Sequence, residues 1–271
     1  MLPPWNTPAM PVTPSPVDGT SLRYDVSGSG PALVLLHGSV LSRAIWRGLG
    51  YLAPLTAEHT VIRVDLRGHG RSGTPHETSA YTQEVFVADL LAVLDAEGVG
   101  RASLMGYSLG ARVALSATLA HPGRVHRLVS LGGSAAAQHG AVDSVFFPSV
   151  IEAVRRGGME AFSSGQGLGP GVEERRARAT RTAFLAADPL AIAALLEATE
   201  ATGAVPEEQL AGCTVPALWM AGTEDHPRFE ESRRAASAMP DAEFVPLPGR
   251  DHGGTLFPPE PVLAAVLPFL R

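Results

Sequence analysis

The sequence predicts an α/β protein with a mostly parallel, twisted sheet and helices on both faces. Short apolar runs alternate with segments in which apolar residues recur at helical spacing. The run Ala32–Leu36 is apolar throughout, as expected for a central strand that is covered on both faces. Segment 81–97 instead repeats its apolar residues every three or four positions. This alternation is typical of parallel strands joined by crossover helices.

The same patterns give approximate bounds for each element. We expect strands at 21–26, Ala32–Leu36, 60–64, 102–105, 127–131, 217–221 and 243–247. We expect helices at 81–97, 109–119, 229–239 and Glu260–Leu270. The first strand alternates polar and apolar residues and runs into the turn at 28–30, which favours an early antiparallel hairpin.

The strand–helix rhythm stops between residues 134 and 205. Helical patches lie there at 150–155, 173–185 and 190–199, around a glycine-rich stretch at 165–171. We predict that residues 134–205 form a small helical cap, inserted into a core made of residues 17–133 and 206–271. The cap is expected to lie over the edge of the sheet where ligands bind in such folds. Residues 1–16 are rich in proline and predict an extended N-terminal segment.

Composition excludes several classes of function. The net charge is −6, which argues against nucleic acid as a partner. The chain has no lysine, so Schiff-base chemistry and phosphate-binding P-loops, which both use lysine, are excluded. The single cysteine, Cys213, cannot form an intramolecular disulfide. The sequence has neither a signal-peptide pattern nor a long apolar run. We therefore expect a cytoplasmic protein without a membrane partner.

The pentapeptide Gly106-Tyr107-Ser108-Leu109-Gly110 is the main functional signal. It follows a buried strand and opens a helix, which is the context that a G-x-S-x-G nucleophile motif requires. So tight a turn needs small neighbours, and the two glycines supply them. The helix N-terminus directs its N–H groups towards an oxyanion formed at the serine. The alternative is that this pentapeptide only packs a strand against a helix.

Together with other segments, this motif resembles the α/β-hydrolase fold family, in its branch of serine-nucleophile esterases, lactonases and perhydrolases. The resemblance covers the chain from about Val17 to Arg271. Its further elements each follow a strand: His37-Gly38-Ser39, a D-x-R-G-x-G-x-S turn at 65–72, the segment 222–225, and Asp251-His252. The order nucleophile, acid, histidine is that of the family.

The chemistry requires a base and an acid for Ser108. Among nine histidines, His252 follows the last strand and precedes the last helix, so we expect it at the catalytic edge. The resemblance implies Asp225 as the acid, with Glu224 and Asp251 as rivals. Asp251 is less favoured because adjacent side chains on an extended loop tend to diverge.

An oxyanion hole needs two N–H donors. The resemblance implies the main-chain N–H of Leu109 as one donor. It implies Ser39 as the other, with Val40 as the alternative. His37 is expected to brace this loop, and His69 to be structural.

Four aromatic residues are candidates for substrate binding: Trp46, Tyr107, Phe146 and Phe147. For each of them, packing in the core or in the cap is an equally good interpretation.

The resemblance implies a serine hydrolase that cleaves a small-molecule ester or lactone through an acyl-enzyme. Cofactor-free perhydrolase or haloperoxidase chemistry, carbon–carbon bond hydrolysis, and a non-hydrolytic cyclase or ligand-binding role are alternatives on the same fold. Neither a cofactor nor a metal is expected, because the sequence lacks a Cys–His cluster and an H-E-x-x-H motif. The oligomeric state does not follow from the sequence.

Overall fold

Eight strands form one sheet in the computed structural model, which describes residues 10–271. In chain order they are β1 (Val12–Pro14), β2 (Ser21–Ser27), β3 (Ala32–Leu36), β4 (Thr60–Asp65), β5 (Ala102–Tyr107), β6 (Val125–Leu131), β7 (Ala217–Gly222) and β8 (Ala242–Leu247). Their spatial order is β1-β2-β4-β3-β5-β6-β7-β8. β2 pairs antiparallel with both β1 and β4, and every later pairing is parallel. The predicted α/β fold is therefore confirmed.

Helices cover both faces of this sheet. In chain order they are α1 (Ala44–Gly48), α2 (Leu52–Thr56), α3 (Gln83–Ala96), α4 (Leu109–Ala120), α5 (Ala141–Val145), α6 (Val150–Gly165), α7 (Arg175–Leu185), α8 (Pro189–Glu200), α9 (Glu207–Ala211), α10 (Arg228–Ala238) and α11 (Glu260–Leu270). α3, α4 and α10 contribute to the core on one face, and α1, α2 and α11 to the core on the other. Alternate residues of the strands enter the two cores because strand side chains alternate between faces.

The described chain between β6 and β7 forms α5 to α9 and adds no strand to the sheet. α6 packs against both α7 and α8. Its axis is kinked at Gly158, whose φ of 60° and ψ of −156° are not helical. Phe162 of α6 contacts Phe146, Phe147 and Phe184, with ring centroids 5.1–6.0 Å apart. These aromatic contacts tie the segment into one unit.

The N-terminal segment differs from the sequence prediction. Val12–Pro14, within the part expected to be merely extended, pairs with β2 as an edge strand. Proline is tolerated at a sheet edge, where no neighbour needs its missing N–H. Residues 1–9 of the predicted segment lie outside the described residues.

Within residues 10–271, no single helix is long and apolar enough to cross a membrane. One pair of helices, Ala177–Leu185 and Pro189–Glu200, passes that test together on length and composition, with a bend of 95° between them.

Candidate active site

Ser108 lies at the sharp turn between β5 and α4. Its φ of 53° and ψ of −114° are strained for a residue with a Cβ atom. At this turn the main chain passes very close to other parts of the main chain. A Cβ atom on Gly106 would collide with the main chain at Gly110, and one on Gly110 would collide with the carbonyl group of Leu36. The spacing of the two glycines is therefore a steric requirement of this turn.

A chain of hydrogen bonds connects Ser108, His252 and Asp225. The distance between His252 Nε2 and Ser108 Oγ is 2.9 Å, and that between His252 Nδ1 and Asp225 Oδ2 is also 2.9 Å. A carboxylate can only accept, so Nδ1 carries the ring proton and donates it to Asp225. Nε2 is then free to accept the hydroxyl proton of Ser108.

Parallel strands bring these three residues together. Ser108 directly follows β5, Asp225 follows β7 by a short loop, and His252 follows β8 by a longer loop. The carboxyl ends of parallel strands share one edge of the sheet, where ligands bind in open α/β folds. The Asp225 side chain is 2 % exposed, which removes water as a competitor for its bond to His252.

The two rival carboxylates point elsewhere. Asp251 is exposed, and its Oδ1 accepts the main-chain N–H of Gly254 at 2.7 Å. Glu224 is exposed as well. Only Asp225 among the three candidates contacts the ring of His252.

Tyr107 supports His252 from one side. The two rings are stacked, with centroids 5.3 Å apart and an interplanar angle of 27°. The Tyr107 hydroxyl donates to the main-chain carbonyl oxygen of His252 at 2.8 Å. Burial raises the pKa of Tyr107 far above its ordinary value, so the hydroxyl remains a donor. The residue before the serine thus fixes the position of the imidazole.

The loop after β3 brings a second N–H group near Ser108. Ser39 lines the same cavity as Ser108 and Leu109, and its N–H has no acceptor among residues 10–271. The N–H of Leu109 lies in the first turn of α4, ahead of any helical acceptor. The N–H of Val40 is engaged, because it donates to His69 Nε2 at 3.1 Å. Of the two predicted alternatives, the structure leaves the Ser39 N–H available.

Two buried histidines brace this loop. His37 Nε2 accepts the N–H of Leu66 at 3.0 Å, so its Nδ1 must donate to the carbonyl oxygen of Gly38 at 2.8 Å. His69 has the same tautomer, with Nδ1 2.8 Å from the Arg67 carbonyl oxygen. Burial lowers the pKa of His37 to about 4 and that of His69 to about 3. Both rings are therefore neutral acceptors that tie the loop to the chain after β4.

A cavity of about 40 Å³ opens beside Ser108, under α5 and α8. Its wall consists of Ser39, Gln83, Ser108, Leu109, Arg112, Gly132, Ser134, Gln138, Ala141, Val142, Val145, Phe146, Thr199, Thr202 and Arg228. The polar part of this wall consists of hydroxyl, amide and guanidinium groups. Among residues 10–271, no group of three or more His, Cys, Asp or Glu side chains is arranged to hold a metal ion.

Of the four aromatic candidates for substrate binding, the structure places Phe146 on the cavity wall and the other three elsewhere. Trp46 is fully buried in the core on the α11 face, edge-to-face with Tyr51 at 5.4 Å. Phe147 packs against Gly165 and Phe162 of α6. Tyr107 contacts His252 as described above. For these three residues, packing explains the aromatic side chain.

Three polar residues of the wall were not singled out from the sequence: Arg112, Gln138 and Arg228. Arg112 stands four positions after Ser108 on one helix, so helical spacing could have identified it. Gln138 and Arg228 carry no such signal, because the loops that bring them to the cavity have no periodic pattern.

Comparison with known proteins agrees with this geometry. A family model described as the alpha/beta hydrolase fold matches residues 31–156. The pimeloyl-(acyl-carrier protein) methyl ester esterase of Edwardsiella ictaluri is 32 % identical over 92 % of this chain and 97 % of that protein. An uncharacterized protein of Mycobacterium bovis is 39 % identical over 122 residues, a match that spans only 34 % of its length.

Solved structures extend the likeness to almost the whole chain. A hydrolase from Pseudomonas aeruginosa superposes with a TM-score of 0.85 at 29 % identity, covering 98 % of this chain and 99 % of that one. The enol-lactonase from Burkholderia xenovorans gives a TM-score of 0.79 at 25 % identity, covering 96 % and 99 %. The fold, the motif order and these relatives together show that the chain belongs to the α/β-hydrolase fold family.

Proposed function

We propose that this protein is a serine hydrolase that cleaves carboxylic esters or lactones through an acyl-enzyme. The observation that carries the proposal is the unbroken hydrogen-bond chain from Ser108 through His252 to the buried carboxylate of Asp225. Serine is a weak nucleophile unless a base stands within hydrogen-bond reach. Here the base is 2.9 Å away and is held in the tautomer that can accept the proton.

In the first half-reaction, Ser108 Oγ attacks the substrate carbonyl while His252 Nε2 takes the hydroxyl proton. The imidazolium that forms is stabilised by Asp225, which does not itself take up a proton. The negative charge on the carbonyl oxygen is stabilised by the N–H groups of Leu109 and Ser39. His252 then protonates the leaving alcohol, and an acyl-Ser108 ester remains.

In the second half-reaction, water attacks the acyl-enzyme. His252 acts as the base for this water and then returns the proton to Ser108 Oγ as the acid is released. With a lactone the leaving alkoxide stays attached to the acyl group, so one hydroxy acid is the product. Two similar proteins support ester or lactone chemistry, since one relative is a methyl ester esterase and one structural neighbour is an enol-lactonase.

The test is covalent labelling with a fluorophosphonate, followed by peptide mapping, and hydrolysis of p-nitrophenyl acetate. We expect the label on Ser108, and turnover that falls by roughly 10³-fold or more in Ser108→Ala. Ser237→Ala is the matched control, because Ser237 is an exposed serine of α10 whose hydroxyl donates to the Arg233 carbonyl. A folded protein that is never labelled at Ser108, or equal turnover in Ser108→Ala, would overturn the proposal.

A further inference from the structure

Two buried arginines share the cavity wall with Ser108. Arg112 of α4 is 8 % exposed, and Arg228, the first residue of α10, is 7 % exposed. Removing a guanidinium group from water is unfavourable unless its charge is compensated. The partners of these two side chains therefore show whether the cavity carries uncompensated charge.

Arg112 has no carboxylate partner among the described residues. Its Nη1 atom donates to the carbonyl oxygens of Ser134 and Ala136, each at 3.0 Å, and its Nη2 atom to that of Gly203 at 2.5 Å. Its Nε atom is buried and has no hydrogen-bond partner within residues 10–271. Carbonyl groups are neutral, so the positive charge of Arg112 stays on the wall of the cavity.

Arg228 adds a second positive charge, which is paired with the carboxylate of Glu231. Its Nη1 atom lies 2.7 Å from Glu231 Oε2, and its Nη2 atom donates to Gln138 Oε1 at 2.7 Å. Gln138 Nε2 in turn donates at 2.8 Å to the Ala136 carbonyl that also accepts from Arg112. One hydrogen-bonded wall thus holds two guanidinium groups against the single carboxylate of Glu231.

The electrostatics of Arg112 agree with this arrangement. Burial, and then the nearby charge of Arg228, lowers the pKa of Arg112 to about 10. The guanidinium is still charged at neutral pH, but burying this charge costs free energy. An anion bound between the two arginines would reduce that cost.

Arg112 lies close to Ser108 along the chain, so its positive charge is near the proposed nucleophile. The main-chain N–H of Arg112 donates to the Ser108 carbonyl at 3.1 Å, so the two residues are one helical turn apart. Four residues of helix rise about 6 Å, and helical side chains lean towards the N-terminus. Arg112 and Ser108 also line the same cavity, so the guanidinium group and an acyl group on the serine would share that space.

We propose that Arg112 and Arg228 form an anion subsite, and that the substrate is the ester or lactone of a short acid carrying a second, free carboxylate. This inference rests on the proposed serine-hydrolase function, because it assigns the acyl group that Ser108 would receive. The Nε–H group of Arg112, which has no partner within residues 10–271, is the donor left for a carboxylate, and the positive charges of both guanidinium groups attract it.

Binding to the Ser108→Ala variant of this 271-residue chain tests the subsite without requiring turnover. Monomethyl glutarate and dimethyl glutarate share a carbon chain and differ in one negative charge, and the four-carbon and six-carbon monoesters probe length. By calorimetry at neutral pH, we expect at least one monoester to bind 10-fold or more tightly than its diester, and the preference to shrink as salt is added. Equal affinities, or no binding of any monoester, would overturn the subsite.

Single substitutions show which side chains account for binding of the monoester. In the same background we expect Arg228→Gln to weaken monoester binding by about 10-fold or more, and Arg112→Gln to do the same. Arg233→Gln is the matched control, since Arg233 lies on the same helix but is exposed and paired with Glu230. Arg112 holds three carbonyl groups, so its variant is judged only if its thermal unfolding stays cooperative. Otherwise Arg228→Gln decides, and unchanged binding in it would overturn the proposal.

The two proposals fail differently. A fluorophosphonate label on Ser108 without any preference for the monoester would reject the anion subsite and leave the hydrolase supported. A clear preference in Ser108→Ala, with no labelling of the wild-type serine, would reject the hydrolase and leave the subsite supported.

Discussion

His69 Nε2 accepts a hydrogen bond of 3.1 Å from the main-chain N–H of Val40, 29 positions earlier in the chain. Val40 has a φ of 62°, which a β-branched residue rarely adopts. This bond therefore holds the loop in a conformation that Val40 alone disfavours. The adjacent N–H of Ser39 is left without an acceptor beside the cavity. A histidine of the turn after β4 thus helps to fix a proposed oxyanion donor.

Replacing His69 by leucine tests this relationship. The N–H of Val40 would lose the acceptor that it has among residues 10–271, which costs about 1–3 kcal/mol when the group stays buried. We expect the free energy of unfolding to fall by that amount, and kcat to fall by roughly 10-fold as the Ser39 N–H loses its position. Urea unfolding and steady-state kinetics measure the two effects. Leucine at the exposed His121 is the control, and equal kcat values for the two variants would contradict the role given to His69.

Stability should decrease as the pH falls below the ordinary pKa of histidine. His37 and His69 are neutral when folded, with pKa values near 4 and 3, whereas an unfolded histidine titrates near 6.5. Below pH 6.5 the unfolded chain therefore binds protons that the folded protein excludes, and stability is lost progressively down to the folded pKa values. Each histidine contributes up to about 1.4 kcal/mol per pH unit in this window.

Urea unfolding at pH 7, 6 and 5 measures this dependence. We expect the slope of the unfolding free energy against pH to be clearly reduced in His69→Leu, because one of the two histidines with the most strongly lowered pKa is gone. The His121→Leu protein should keep the wild-type slope, since that histidine is exposed. A wild-type stability that does not change between pH 7 and pH 5 would be incompatible with two buried neutral histidines.

The neighbouring aspartates provide a matched pair for the proposed acid. In Asp225→Asn the amide can no longer hold His252 in the required tautomer or stabilise its positive charge, so kcat should fall by about 10³–10⁴-fold. Asp251→Asn should change kcat by less than about threefold, because its side chain is exposed and contacts the Gly254 N–H instead. Kinetics of both variants with one ester would measure the contrast. A larger loss in Asp251→Asn would reassign the acid.

Much of the fold could be predicted because parallel strands impose a simple pattern. Strands buried on both faces are continuous apolar runs, as in β3 and β7, and active-site residues follow their carboxyl ends. Ser108, Asp225 and His252 could therefore be placed at one edge from chain order together with the family resemblance. The short helices α1, α2 and α9 were not predicted, since five residues are too few to establish a helical period.

The cavity wall was much harder to predict, because it depends on how the segment between β6 and β7 folds back on the core. The sequence offers aromatic residues as candidates for binding, yet packing accounts for Trp46 and Phe147 in the structure. Helical spacing places Arg112 one turn after Ser108, but neither its burial nor that of Arg228 is expected from the sequence, because arginine usually lies at the surface. Their burial is a tertiary property that no local sequence pattern records.

Phe146 and Phe147 are adjacent phenylalanines that the structure distinguishes. Both contact the ring of Phe162, at 5.2 and 6.0 Å, but only Phe146 lines the cavity beside Ser108. Phe146 therefore limits the space that is open to an acyl chain on this side of Ser108. Acyl-chain selectivity is then a direct measure of the space that Phe146 occupies.

We expect Phe146→Ala to raise kcat/KM for p-nitrophenyl hexanoate relative to the acetate by about 10-fold, since truncation of an aromatic ring vacates a volume that a longer chain can fill. Phe147→Ala is the matched control, because it loses a similar contact with Phe162 without opening the cavity. Its ratio of hexanoate to acetate should stay within about twofold of the wild-type ratio. Equal ratios in the two alanine variants would show that the acyl chain does not enter the space bounded by Phe146, and the acyl group would then have to bind on another side of Ser108.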